Sequence, residues 1–250
     1  MRSLKSIARL TGLGYLAIFI SGFFANFYTL EGMVVDSNPQ LTLENISTQI
    51  GLFQLGVASF SLMIIVDILL AFPLYNLLKS VHGNWAKASS IIRVINGLVF
   101  ILALVNLFEI ISIAQSETAA ATSVMYLLED FNTLWNVGLL FFGAHLLVLG
   151  SLIVKSRNFP GLIGLLIQMA GLTYLTDSGA QLFLTNYQDY KALFEMLVIG
   201  GGVIGEFSLT LWLLIKGIKS QPPIKLERSL SAKAKALSNK HHINHYKLNQ

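Results

Sequence analysis

Six stretches of this chain are nearly unbroken runs of apolar residues, and the polar residues gather in the segments between them. The runs cover 10–30, 51–78, 88–113, 135–154, 160–176 and 194–215. An α-helix rises 1.5 Å per residue, so a hydrocarbon layer about 30 Å thick is crossed by about 20 such residues. Each run is read as a membrane-crossing helix, the fifth being short. The runs are continuous rather than alternating, which favours helices over the strands of a membrane barrel. The expected fold class is all-α: a polytopic transmembrane bundle of six helices.

The intervening segments add detail. Val124, Leu127 and Leu128 recur at helical spacing, which predicts a short surface helix over 123–130. Pro222 and Pro223 end the last helical pattern, and a polar, basic stretch follows. The domain reading is a six-helix transmembrane domain over 1–219 and a basic, disordered cytoplasmic tail over 220–250.

Charge then orients the bundle. All but two of the 17 Lys and Arg residues fall on one side: Arg2, Lys5, Arg9, Lys79, Lys87, Lys155, Arg157, Lys216 and those of the tail. Only Arg93, inside a helix, and Lys191 depart from the pattern. Glu31, Asp36, Glu44, Glu117, Glu129, Asp130, Asp177 and Asp189 occupy the opposite segments. Cytoplasmic loops keep positive charge, so both termini are expected in the cytoplasm. The net charge of +4 is then a mark of topology and gives no reason to expect nucleic acid.

Composition agrees, since 12% of residues are charged, against about a quarter in a soluble domain. There is no cysteine, which removes disulfide and thiol chemistry. The basic start before an apolar run could be a secretory signal, but the run is long and lacks a small-residue cleavage site; a retained first helix is expected.

Ionisable groups inside apolar spans are costly, at about 2.5–3.5 kcal/mol at a helix centre, and so are the first place to look for function. Asp67 lies about 18 Å above Lys79, His145 about 15 Å above Lys155 and Glu206 about 15 Å above Lys216. They share one layer near the midplane on three helices that run the same way. Arg93, about 9 Å above Lys87, can reach up to Asp67. Asp67, Arg93, His145 and Glu206 are the candidates for ligand binding or a proton relay, with His145 and Glu206 expected to share a proton. Asn96, Gln168 and Asp177 are secondary candidates. Glu109, near the outer end, is expected to reach for the interface.

The bland alternative is that Asp67 with Arg93, and His145 with Glu206, only lock helices in register. A metal held by Asp67, His145 and Glu206 is not expected, because one membrane histidine and no cysteine make a poor ligand set. His241, His242 and His245 in the tail have metal-capable spacing, but a solvated segment beside Lys240 and Lys247 holds metal weakly. No cofactor is expected, because no zinc-protease, nucleophile-elbow or phosphate-loop spacing occurs. Gly161, Gly164, Gln168 and Gly171 mark one face of the fifth helix and Gly202, Glu206 and Thr210 one face of the sixth, as sites of close approach. Gly200-Gly201-Gly202 is read as packing or local unwinding. Expected partners are the bilayer, anionic lipid headgroups at the basic tail, and an unidentified small molecule or ion.

Several stretches carry a resemblance. Residues 8–12 (ARLTG), 67–78 (DILLAFPLYNLL), Arg93, 143–156 (GAHLLVLGSLIVKS), 171–178 (GLTYLTDS) and 205–217 (GEFSLTLWLLIKG) are similar to the bacterial membrane family catalogued as domain of unknown function 4386. The similarity runs from Ile7 to Lys219 and takes in Asp67, Arg93, His145, Asp177 and Glu206. It implies a multi-pass protein of the bacterial inner (plasma) membrane and names no activity. Three function classes stay open: binding of a small molecule or ion with proton-linked transport, an intramembrane enzyme acting on lipid, and a structural or accessory membrane subunit.

Overall fold

A computed structural model describes residues 4–116 and 120–216. Among these residues every regular element is helical and there is no strand. Helix α1 spans Leu4–Met33, α2 Pro39–Thr48, α3 Ile50–Leu78, α4 Gly83–Ala114, α5 Ala121–Lys155, α6 Gly161–Phe183 and α7 Tyr187–Ile215. Five of them, α1, α3, α4, α5 and α7, are long and apolar enough to cross a membrane. Helix α6 is not among them: Gln168, Thr173 and Asp177 interrupt its apolar run. The expected tail, and with it the proposed headgroup contacts and tail histidines, lies outside the described residues.

The six long helices close into a ring. Each packs on its neighbour in sequence, α3 on α1, α4 on α3, α5 on α4, α6 on α5 and α7 on α6, and α7 returns to α1. Side chains pointing inward from any helix can therefore meet those of several others. That is the geometry a buried polar cluster needs.

Two segments differ from the sequence-based expectation. Residues 123–130 are not a separate surface helix but the first turns of α5, whose 35 residues run unbroken to Lys155. Val124, Leu128 and Phe131 are buried there, with Phe131 and Phe60 flanking the indole of Trp135, which stacks on Phe100 at 4.0 Å between ring centres. This aromatic packing extends the helix beyond what lipid requires, and apolar run length alone does not see it. The segment after α1 likewise holds a helix, α2, started by Asn38, whose Oδ1 accepts the amide of Leu41, and by Pro39 in the first turn. Thr42 and Ile46 of α2 are buried, and Ser47 donates to the carbonyl of Ala114 at the end of α4.

Helices α1 and α7 each contain one widened π-helical stretch, Phe24–Leu30 and Val198–Val203. The second covers Gly200-Gly201-Gly202, where packing or local unwinding is read from the sequence, and ends three residues before Glu206. Such stretches interrupt the regular hydrogen-bond ladder and recur at functional sites.

Candidate functional site: a polar layer between two apolar cores

The interior holds two apolar clusters. One gathers Phe60, Ile64, Phe100, Leu104 and Phe131, the other Leu70, Leu74, Leu146, Leu149 and Leu209. Along α3, Asp67 falls between Ile64 and Leu70. On α4, Ser89, Arg93 and Asn96 occupy one buried face because they are spaced four and three residues apart. A layer of polar side chains thus sits between hydrocarbon above and below.

Arg93 organises that layer. Its Nη2 donates to Oδ1 of Asp67 at 2.6 Å and its Nε to the backbone carbonyl of Asp67 at 2.9 Å. Nη1 donates to the Tyr15 hydroxyl at 3.1 Å and to Nε2 of His145 at 3.0 Å. The rings of Tyr15 and Phe142 flank the guanidinium at 5.2 and 5.7 Å from their centres. Asn96 donates from Nδ2 to the second oxygen of Asp67 at 3.2 Å. Arg93, Asn96 and His145 have no exposed surface, and Asp67 is 5% exposed. One arginine from α4 therefore ties together α1, α3 and α5. A planar fork with five donors suits this task, and a lysine could not reproduce it.

The same geometry sets the tautomer of His145. Arginine only donates, so Nε2 must accept and the proton resides on Nδ1. Nδ1 lies 2.9 Å from both the carbonyl and the hydroxyl of Ser89. As a donor there, it cannot take a proton from Ser89. The Ser89–His145 pair thus lacks the base that a serine nucleophile requires.

Glu206 stands apart. Its Oε1 accepts from the Tyr174 hydroxyl of α6 at 2.8 Å, and its Oε2 takes no hydrogen bond from any described residue. It is 6% exposed. The expected proton-sharing bond between His145 and Glu206 is not formed: the imidazole is committed to Arg93 and Ser89, and the carboxyl to Tyr174. Equal depth on two helices did not bring them into hydrogen-bond contact, and the ring of Phe142 packs against both the imidazole and the ring of Tyr174. The Phe142 ring lies 5.4 Å from that of Tyr174 and 6.1 Å from that of His145.

The secondary candidates divide. Asn96 belongs to the layer, and its Oδ1 is one of the buried oxygens without a hydrogen-bond partner among the described residues. Gln168 donates to Ser151 at 2.8 Å, joining α6 to α5 away from the layer. Asp177 accepts from Tyr187 at 2.8 Å and from Gln181 at 3.0 Å, and Gln181 in turn accepts from Asn136 at 3.0 Å. Asp177 lies one helical turn from Tyr174 along α6. Glu109 is exposed.

Sequence reasoning passed over Tyr15, Ser89 and Tyr174. Ser89 could have been found from its spacing of four from Arg93, and Tyr174 from the three- and seven-residue steps to Asp177 and Gln181. Tyr15 gave no signal, since an aromatic residue in an apolar span is ordinary.

Comparison with known proteins adds lineage. Residues 10–217 match the family described as Domain of unknown function (DUF4386). An "Uncharacterized protein" of Archaeoglobus fulgidus is 29% identical over 164 residues, covering 66% of this chain and 85% of that protein. No solved structure matches.

Proposed function

The chain belongs to the DUF4386 family, a domain of unknown function, and from its interior we propose that it is a membrane-spanning protein that binds a proton or small cation at Glu206. Asp67, Arg93 and His145 form the frame around that site rather than the site itself. The observation that carries this reading is the unequal state of the two buried carboxylates. Asp67 has both oxygens occupied and a guanidinium against it. Glu206 has one oxygen unoccupied and no basic partner within salt-bridge distance among the described residues.

The charge balance follows. Arg93 offsets Asp67, so an ionised Glu206 leaves the interior one positive charge short. A buried, uncompensated charge is expensive, and a proton or a bound cation removes the deficit. A carboxyl that alternates between those two occupants is the elementary part of proton-linked transport. The π-helical stretch before Glu206 supports the reading, because it gives α7 a place to adjust when the occupant changes.

Helix α6 is taken as the sixth crossing. Its 23 residues reach about 34 Å, and its polar residues Tyr174 and Asp177 each take part in a hydrogen bond to α7. With six crossings Lys79, Lys87, Lys155 and Lys216 share one face, which supports reading both termini as cytoplasmic in a plasma-membrane protein. The lipid-enzyme reading is disfavoured by the tautomer of His145. The purely structural reading accounts for Asp67, Arg93 and His145, but not for the half-occupied Glu206.

The test uses the full chain in proteoliposomes with a pH-sensitive dye trapped inside and a potassium diffusion potential as driving force. Proton uptake above that of empty vesicles is expected, and Glu206→Gln should lower it at least about tenfold, the worth of one charged contact of about 1.5–3 kcal/mol. The variant should melt within a few degrees of the parent. Uptake equal to empty vesicles, together with an infrared protonated-carboxyl band that is the same in parent and Glu206→Gln protein, would refute the proposal.

A further inference from the structure

On the outer flank of α3 and α4, away from the polar layer, lies a groove of about 600 Å³. Its walls are Phe72 and Tyr75 on α3 and Ile91, Val94 and Ile95 on α4, with Lys87 at its basic end. We propose that this groove holds an acyl chain of an anionic phospholipid whose headgroup phosphate rests on Lys87. The proposal requires that the helices lie in a membrane, and it is independent of what Glu206 binds.

Shape and polarity both fit a lipid tail. From Lys87 to Ile95 the wall extends about 12 Å along the helix. Phe72 is 75% exposed and Ile91 50% exposed, so the groove faces outward. The small polar group in the wall is already satisfied, since Ser90 donates to the carbonyl of Ala71 at 3.0 Å. What remains open to an occupant is hydrocarbon.

Charge selects the headgroup. Lys79 lies over the ring of Tyr75 at 5.6 Å and donates to Asn76 at 2.8 Å, so its cation stands at the same end of the groove. Lys155 lies over Trp85, 4.7 Å from the ring centre, at the first turn of α4. Lys87 has no ion pair among the described residues. No Asp or Glu occurs in the chain between Asp67 and Glu109. The basic end therefore attracts an anionic phosphate and offers no carboxylate to the choline of a zwitterionic lipid. Long lysine side chains suit this position because they lay their stems on apolar wall and hold their ammonium groups at headgroup level.

Native mass spectrometry of the full chain in mild detergent tests this. Phosphatidylglycerol and phosphatidylcholine of matched chains are supplied at equal concentration. The parent protein should retain phosphatidylglycerol in preference. Lys87→Ala should cut that retention about fivefold, and Val94→Trp, which fills the groove, should abolish it. Lys191→Ala, on a lysine paired with Glu195 in another part of the chain, should change nothing. Equal retention of the two lipids, or retention unaffected by Lys87→Ala and Val94→Trp, would overturn the assignment. So would a dimer that Val94→Trp dissolves without any lipid being bound.

Discussion

Arg93→Leu is expected to lose about 3–5 kcal/mol of stability, the cost of breaking a buried ion pair by removing one partner. Since folded domains stand only about 5–15 kcal/mol above the unfolded state, that loss removes a large share of the margin. The cost is high because four donated hydrogen bonds vanish together. Asp67 keeps its charge with only Asn96 beside it, while the Tyr15 hydroxyl and Nε2 of His145 are left without the donor they faced. Denaturant or thermal unfolding of the purified chain in detergent measures the loss.

The double variant Asp67→Leu with Arg93→Leu separates charge from packing. Removing both members of a buried pair leaves no uncompensated charge, so the double variant should recover more than half of what the single one lost. Arg93→Lys should fall in between, keeping a cation but not the fork that reaches three helices. A single variant that costs less than about 1 kcal/mol, at the level of a surface pair, would mean that this arginine is not the tie described here.

The sequence made some of this arrangement readable and concealed the rest, for physical reasons. Long apolar runs announced the helices because lipid imposes a length and a polarity that composition records directly. Depth could be counted from the lysines, so Asp67, Arg93 and His145 were placed at compatible heights. Azimuth could not. A span surrounded by hydrocarbon is apolar on all sides, so the face on which His145 or Glu206 looks inward leaves little periodic trace. Depth alone therefore pairs His145 with Glu206, whereas the ring turns toward Ser89 and Arg93. Tyr174 went unnoticed for the same reason. The first turns of α5 were missed because they are held by aromatic packing among Phe60, Phe131 and Trp135, which no hydropathy window weighs. Small residues were more informative, since they mark contact whatever the azimuth.

The seam between α5 and α6 is where that information has its largest consequence. Two glycine pairs, Gly143 with Gly171 and Gly150 with Gly164, bring the two backbones together twice, seven residues apart on each helix. A methyl group on Gly171 would lie 2.7 Å from the carbonyl oxygen of Gly143, and one on Gly164 would lie 2.7 Å from that of Gly150. These obstacles are backbone atoms of a regular helix and cannot swing aside, so the helices must part. Gly171→Val is accordingly expected to cost about 3 kcal/mol, the upper end of the range for overpacking. Gly179→Ala is the control: it lies on the same helix with nothing within 4 Å of the added carbon, and alanine there should be neutral or stabilise by up to about 1 kcal/mol. Unfolding curves for the two variants should therefore move in opposite directions or differ by several kcal/mol. The seam also bears on Glu206. Helix α6 carries Tyr174, and Gly205 of α7 packs so closely that a methyl group there would sit 2.6 Å from the carbonyl of Leu166. Displacing α6 from α5 would carry the Tyr174 hydroxyl away from Glu206, so Gly171→Val should lose proton uptake along with stability, whereas Glu206→Gln should lose uptake alone. Full uptake by a destabilised Gly171→Val protein would show that Tyr174 need not be held in place for Glu206 to work.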